Sequence, residues 1–413
     1  MTLKLGGLLL VGTALVSFDA HAAGGNYGTS LRPAEPVLTS PADQPAPIGV
    51  DPPYFETDWS LGLRGSYINS GSDQRYEVLA LPSASLTHTG DTLSYHATVD
   101  GQVSSTDGGS TNVDQARLSA GSALQFNADT SLATDASFAM TQEDVHAPDV
   151  ASDVAETPVN YDGSADATLT RKFGRFNVSL GGTAGRSVYG PTTLKDASLI
   201  DNSGQNNTDF GGSLRLGFAL SPVFEVFGKV DATRTLFDAA DPNLGVKLDG
   251  NLYTARAGFV ATWGDELTAS ASIGQALEQF DAAGLPNVTA TLYDASINYK
   301  ATSTLTLAGD FATTVGAPGP NGSGSAQIAY AATASAAYTV NDWLDWRGSA
   351  GWNSATYAGT SNTSKGYSFG VGADYLLSQH AKLSADYDFA HASVTPNPAT
   401  DTHTVSVGFT LQK

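Results

Sequence analysis

Residues 367–377 read YSFGVGADYLL, with Tyr367, Phe369, Val371, Ala373, Tyr375 and Leu377 apolar and Ser368, Gly370, Gly372 and Asp374 between them. Side chains along a β-strand point alternately to opposite faces, so this segment predicts a strand with one apolar face and one small, polar face. The same alternation sets Trp59, Leu61, Leu63, Gly65 and Tyr67 against Ser60, Gly62, Arg64 and Ser66, and Phe210, Leu214, Leu216 and Phe218 against Gly211, Ser213, Arg215 and Gly217. A soluble β-sandwich alternates too, but its apolar face meets a second sheet.

The connectors separate these cases. Short turns fall near Gly90-Asp91, Asn127-Asp129, Lys172-Gly174, Ser221-Pro222, Gly264-Asp265, Ala301-Thr302, Asn341-Asp342 and Ser378-Gln379. Between them lie longer polar loops, around Gly108, Gln142 to Asn160, Tyr189 to Asn207, Leu236 to Gly250, Phe280 to Asn287, Pro318 to Gly324, Ala358 to Ser364 and Thr395 to Asp401. Short turns at one end and long loops at the other is the pattern of an outer-membrane barrel. Counting from a first strand near Trp59 to a last one ending at Leu411 predicts an all-β fold, a closed antiparallel transmembrane β-barrel of about 18 strands, give or take two, each of about ten to fifteen residues.

Closure follows from physics. Lipid offers a backbone amide no hydrogen-bond partner, so an open sheet edge cannot survive in it. The segment His403, Val405, Val407, Phe409, Leu411 has the alternation needed to pair with the first strand. Aromatic residues favour both membrane boundaries. Trp59, Phe126, Phe176, Phe224, Trp263, Trp343 and Trp346 flank short turns or the entry of the chain, and Tyr67, Tyr76, Tyr161, Tyr253, Tyr293, Tyr357 and Tyr367 lie toward the other strand ends, giving two expected girdles.

Ahead of the barrel, expected over 54–413, two segments differ in composition. Residues 1–22 carry Lys4, an apolar run from Leu5 to Val16 and the small-x-small site Ala20-His21-Ala22, the grammar of a secretory signal peptide cleaved after about Ala22. Residues 23–53 are rich in proline (Pro33, Pro36, Pro41, Pro45, Pro47, Pro52, Pro53), which predicts a disordered periplasmic leader. The apolar run is shorter than the roughly 20 residues of a membrane helix, and no later segment approaches that length.

Composition excludes several functions. Without cysteine there is no disulfide scaffold or thiolate metal site. A net charge of −21 repels nucleic-acid phosphates. The glycines, 44 of them, suit turns and strands. Gly366-Tyr367-Ser368-Phe369-Gly370 matches the G-x-S-x-G nucleophile elbow, but that motif needs a strand-to-helix turn and here lies inside a strand. The glycines from Gly181 to Gly185 lack the following helix of a phosphate cradle. His88, His96, His146, His380, His391 and His403 show no metal-ligand spacing. No catalytic residue, metal ligand or cofactor is therefore expected.

The polar face instead collects charge of both signs, in Arg64, Arg117, Arg215, Lys229, Arg256, Lys300, Arg347 and Lys382 and in Glu225, Asp231, Asp294, Asp310, Asp345, Asp374, Asp386 and Asp388. An Arg or Lys facing lipid at the midplane costs about 2–4 kcal/mol, so one shared parity makes these candidates for the lumen wall. A barrel of this size is too wide for wall side chains to fill, and its lumen holds water, folded-in loops or a plug. The alternative reading is that opposite charges pair across that wall as structural bridges. The loop Gln142 to Asn160 carries Glu143, Asp144, Asp149, Asp153 and Glu156 with no basic residue, which reads as solvated charge or, less well, a loose calcium site lacking the calcium-loop spacing.

The opening strands, DWSLGLRGSYINSGSDQRYEVLALPSASLTHTGDTLSYHATVDGQV (residues 58–103), with the proline-rich leader ahead of them, resemble the putative beta-barrel porin 2 family of alphaproteobacterial outer-membrane proteins. The resemblance runs from about Pro52 to the end and rests on strand patterns rather than invariant residues, so it transfers no functional residue. It implies an outer-membrane barrel, in several members associated with exopolysaccharide synthesis and export. One departure is the ending Leu411-Gln412-Lys413, where outer-membrane barrels usually end on an aromatic residue. The expected function is an aqueous passage for hydrophilic substrates, first of all exported polysaccharide. The alternatives are a general or selective small-solute porin and a structural or adhesive surface barrel with a blocked lumen. The expected partners are outer-membrane lipid and lipopolysaccharide, the barrel-assembly machinery and periplasmic polysaccharide-export proteins.

Overall fold

The computed structural model describes residues 55–413 apart from 72, 108–110, 148–149, 152, 320–321, 323 and 396–398. The signal peptide and leader therefore lie outside the described residues. Twenty-one strands follow one another: β1 (Phe55–Ser70), β2 (Asp73–His88), β3 (Leu93–Thr106), β4 (Thr111–Asn127), β5 (Thr130–Gln142), β6 (Val154–Glu156), β7 (Val159–Phe173), β8 (Phe176–Tyr189), β9 (Thr192–Leu194), β10 (Leu199–Ile200), β11 (Asn207–Ser221), β12 (Phe224–Phe237), β13 (Gly250–Trp263), β14 (Leu267–Phe280), β15 (Val288–Lys300), β16 (Leu305–Gly316), β17 (Gln327–Asn341), β18 (Leu344–Tyr357), β19 (Thr363–Ser378), β20 (Ala381–Val394) and β21 (Thr400–Gln412). Eighteen form one antiparallel sheet closed on itself, and β6, β9 and β10 form a small second sheet.

The last strand closes the ring. Val405 pairs with Tyr67, Val407 with Gly65, Phe409 with Leu63 and Leu411 with Leu61. Lys413 adds a backbone bond to the Trp59 carbonyl at 3.1 Å and a side-chain bond to the Thr57 carbonyl at 2.6 Å. All eight expected short turns lie between consecutive strands, and the expected longer loops fall at the other strand ends, except that the one around Gly108 lies outside the described residues, as do parts of those at Pro318 to Gly324 and Thr395 to Asp401. One connector escaped the sequence reading, the two-residue link between β1 and β2 at the long-loop end, where Gly71 adopts φ +62°. Glycine reaches that left-handed conformation without the penalty of a Cβ, and so permits a turn this tight. The barrel strands run from 12 residues in β16 to 17 in β4, the longest exceeding the expected range.

Exposure separates the two faces. Leu63, Val78, Leu118, Leu216, Ile273 and Val407 are all more than half exposed and stand on one face around the circumference. An apolar belt of that extent has no place in water and fits a hydrocarbon layer. Aromatics rim it at the short-turn end, where Phe176 packs on Phe218 at 4.8 Å and Trp343 on Tyr375 at 5.1 Å, and toward the loops, where Tyr67 packs on Tyr76 at 5.2 Å. Two members of the loop-side set depart from expectation. Tyr357 pairs with Gln327 on the inward face and accepts a hydrogen bond from its side chain at 3.3 Å, and Tyr293 lies near mid-strand.

The other face is concave, because even short side chains two strands apart meet on it. Asn177 of β8 reaches Glu225 of β12 across β11, at 2.5 Å. Hydroxyl pairs bridge neighbouring strands there, among them Ser137 with Ser164 at 2.7 Å and Ser270 with Ser296 at 2.8 Å.

One sector leaves the cylinder. The β15–β16 ladder ends at Asp294 and Ala312, and beyond it the Thr313 hydroxyl takes over both backbone groups of Tyr293, accepting from its N–H at 3.0 Å and donating to its carbonyl at 3.1 Å. Strand β16 is thereby rotated, and Val315 packs with Ala276, Ala290 and Leu292, against which Leu252 and Ile328 also rest. Those β13–β15 residues belong to the inward face, so the tip of the β16–β17 hairpin leans into the barrel.

Candidate functional site

The lumen wall is the candidate site. Ladder register places every charged candidate from the sequence on the inward face. Arg215, Lys229 and Arg256 stand side by side on β11, β12 and β13. Three like charges in a row repel, and each is held by its own carboxylate: Arg215 by Glu225 at 2.5 Å, Lys229 by Asp231 at 2.9 Å and Arg256 by Asp294 at 2.7 Å. Arg215 also lies over the Phe227 ring at 4.3 Å, a cation–π contact on the same wall.

A second group sits on β18–β20. Arg347 donates to Asp374 at 3.1 Å and to Asp386 at 2.8 Å, and Lys382 lies 3.5 Å from Asp374. The approach to Asp386 crosses β19 at Gly372, where an added Cβ would lie 2.1 Å from the Asp386 carboxylate. Asn177 and Glu225 close over Gly217 in the same way. On the inward face these glycines let polar side chains of flanking strands join over the strand between them.

Other candidates are not gathered into these groups. Arg64 faces Leu79 and Gly408 across its ladders, and Arg117 faces Asp100. Lys300 ends β15 at the short-turn end, Asp310 faces Ser296 and Thr333, Asp345 faces Asp374, and Asp388 faces Gly370 and Thr404.

The sequence reading missed a charge cluster at the mouth. Arg75 of β2 is nearly buried, pairs with Asp73 at 3.0 Å and bonds Asp144, which lies just beyond β5. His146 bonds the same carboxylate at 2.9 Å. Burial works to raise the Asp144 carboxyl, but the His146 hydrogen bond and the Arg75 charge outweigh it and hold it below its ordinary range. The bond to Asp144 raises the His146 imidazole above its ordinary 6.5. The acidic loop is thus neither freely solvated nor a cation cage at Asp144, because Arg75 neutralises that carboxylate. Shared parity with Glu77 and Leu79 was the available signal for Arg75, but nothing local pointed to a loop three strands away.

This loop is tied to the next ones. Val154 and Glu156 of β6 pair with β9, and β9 pairs with β10. Gln205 donates to Asp241 at 2.9 Å, the Asp238 amide donates to the Asn206 carbonyl at 2.9 Å, and the Asp281 amide to the Asp249 carbonyl at 2.9 Å. The mouth is therefore rimmed from Asp144 to Asp281 by interlocked loops. Among the described residues no group of three or more His, Cys, Asp or Glu is placed to hold a metal ion. Ser368 of the G-x-S-x-G match lies inside β19, as the alternation indicated.

A family model described as putative beta-barrel porin 2 matches residues 85–413. The chain belongs to that family. As a porin-family barrel it is a passage through the outer membrane and not an enzyme. Among solved structures, similarity extends to the copper transporter OprC (9% identity, 88% of this chain and 81% of that one, TM-score 0.46) and to OpdK of Pseudomonas aeruginosa, solved with vanillate (12% identity, 87% and 99%, TM-score 0.42). A third is OccK2 (OpdF) of Pseudomonas aeruginosa (12% identity, 87% and 98%, TM-score 0.44). No curated protein sequence matches the chain.

Proposed function

We propose that this porin is a selective passage for hydrophilic solutes of modest size. The observation that carries this reading is the tether of Asp144 to Arg75, which fastens the loop after β5 to the inward face of β2. In outer-membrane barrels the lumen-facing residues tune selectivity. The candidate wall residues, above all Arg215, Lys229, Arg256 and Arg347 with their carboxylates, are proposed to set the local field through which a solute passes.

A second reading is outward passage of a polysaccharide, the cargo that the family resemblance raised. The hydroxyl pairs of the inward face, such as Ser137 with Ser164 and Ser270 with Ser296, suit neutral sugar hydroxyls and support it. Against it, Arg215 lies over Phe227, whereas the Trp side chains stand on the lipid-facing side and supply no stacking track for sugar rings.

The test is conductance of the purified mature protein in a planar bilayer, with a neutral and an acidic polysaccharide added in turn to each side. Steady conductance indifferent to polymer supports the small-solute passage, and block by polymer from the periplasmic side supports export. Folded barrels that conduct nothing would instead indicate a structural or adhesive barrel with a blocked lumen.

A further inference from the structure

Charge in this barrel is sorted by face. Among the described residues of the barrel strands, the outward face carries Arg171, Arg186, Arg234 and Lys365 against a single acid, Asp401. Every other acid of those strands turns inward. Two of these bases pair with loop carboxylates, Arg186 with Asp238 and Arg234 with Asp281, both at 2.5 Å, and bases at a membrane boundary snorkel toward anionic headgroups. The inward excess of acid has no such explanation.

Inside, Arg215, Lys229, Arg256, Arg347 and Lys382 each hold a carboxylate within 3.5 Å, so their charge is cancelled locally. Acids remain beyond those pairs. Asp135, Asp310 and Asp345 stand on the inward face apart from them, and among the described barrel strands inward acids still outnumber inward bases once Arg64, Arg75, Arg117, Lys172 and Lys300 are counted. The loops at the mouth continue the sign with Asp153, Glu156, Asp196 and Asp201. The 54 residues before the described part cannot reverse the balance, having only Lys4 and Arg32 as bases against four acids.

We infer that the passage is permselective for cations, admitting small cationic and neutral solutes and disfavouring anions. This rests on the reading of the lumen as a conducting passage. Eighteen strands about 4.8 Å apart, tilted about 40°, give a backbone radius of about 18 Å, and wall side chains reach well inside it. The screening length at 0.1 M salt is about 10 Å, so the wall field covers most of the remaining bore. A charged lumen of one net sign concentrates counter-ions and raises their flux. If a polysaccharide is carried, the same field selects a neutral polymer over a polyuronate.

The experiment is the reversal potential of the full mature protein in a planar bilayer under a tenfold potassium chloride gradient at pH 7. The expected result is a potassium-to-chloride permeability ratio clearly above one, falling toward one at molar salt. The double variant Asp135→Asn/Asp310→Asn should lower the ratio at least twofold, and Arg117→Gln should raise it. Heat-modifiable mobility in detergent gels verifies that each variant is folded. Conductance with a ratio at or below one, or a ratio unmoved by the double variant, overturns cation selection and leaves the passage standing. Folded barrels without conductance overturn the passage itself and the selectivity with it.

Discussion

The Arg347 guanidinium donates to the Asp386 carboxylate at 2.8 Å although a whole strand separates them, and Gly372 on that strand has no side chain to keep them apart. Arg347 also bonds Asp374, which is almost fully buried and takes a second cation in Lys382. Substituting Gly372→Ala should displace Asp386 and cost about 1–3 kcal/mol, the penalty of a partly buried polar group losing its partner. Gly348 lies on the outward face with open space at its Cβ position, and Gly348→Ala should change stability by less than about 0.5 kcal/mol. Urea unfolding in lipid vesicles measures both, and equal costs would show that the inward glycine is not required for the contact.

The tether at the mouth should respond to pH. The His146 imidazole has a raised pKa in the folded barrel, chiefly through its bond to Asp144, so its contribution is complete below 6.5 and is lost as pH rises through the raised value. The loop after β5 should loosen over the pH range just above 6.5, with larger single-channel conductance or more frequent gating steps. His146→Ala should abolish that pH step while leaving the Arg75 bond. Asp144→Ala should widen the mouth at every pH, and an unchanged conductance in that variant would remove the tether from the account of solute selection.

Adjacent residues on opposite faces should tolerate the same charge very differently. Val405, half exposed on the lipid side near mid-strand, should lose about 2–4 kcal/mol on Val405→Arg. Thr404 faces Asp388 across the β20–β21 ladder, and Thr404→Arg adds a cation beside an inward acid. That variant should unfold within about 1 kcal/mol of the wild type. Comparable losses in the two would contradict the sidedness of β21.

Thr313 replaces a ladder bond with its own hydroxyl. Thr313→Val keeps the shape and removes both bonds to Tyr293, leaving an amide without its partner, at a cost of about 1–3 kcal/mol. Thr314→Val, one residue along, should cost less than about 1 kcal/mol, because no hydrogen bond depends on that hydroxyl among the described residues.

Much of this architecture was legible in period-two alternation and in the lengths of the connectors. Tyr375, Val371 and Phe369 alternate so cleanly with Asp374, Gly372 and Gly370 that β19 and its two faces could be written down directly, and the C-terminal run Val405, Val407, Phe409, Leu411 carried the pairing that closes the ring. Three features were not legible, each for a physical reason. The hairpin at Gly71 lies in the polar run Asn69 to Arg75, most of which is paired strand (Asn69 with Gln74, Ser70 with Asp73), so polarity there did not mark a connector. Tyr357 has the composition and the strand-end position of a girdle residue, and these masked the parity it shares with Arg347, which puts it on the inward face. The contacts Arg347–Asp386 and Arg75–Asp144 join strands or loops that are not sequential neighbours, and alternation gives the face of a side chain without naming what it meets there.

The short ladder between β15 and β16 has a mechanical consequence. Every other wall joint is continuous over most of its strand, whereas this one is zipped only from Lys300–Thr306 to Asp294–Ala312 and is held above by the Thr313 hydroxyl and the packing of Val315 on Ala290 and Leu292. Backbone amides of β15 above Asp294 should exchange with deuterated water ahead of the rest of the wall. The cylinder thus has one soft stave, and strain from a bulky solute entering at the mouth would be taken up by parting β15 from β16 rather than shared around the circumference.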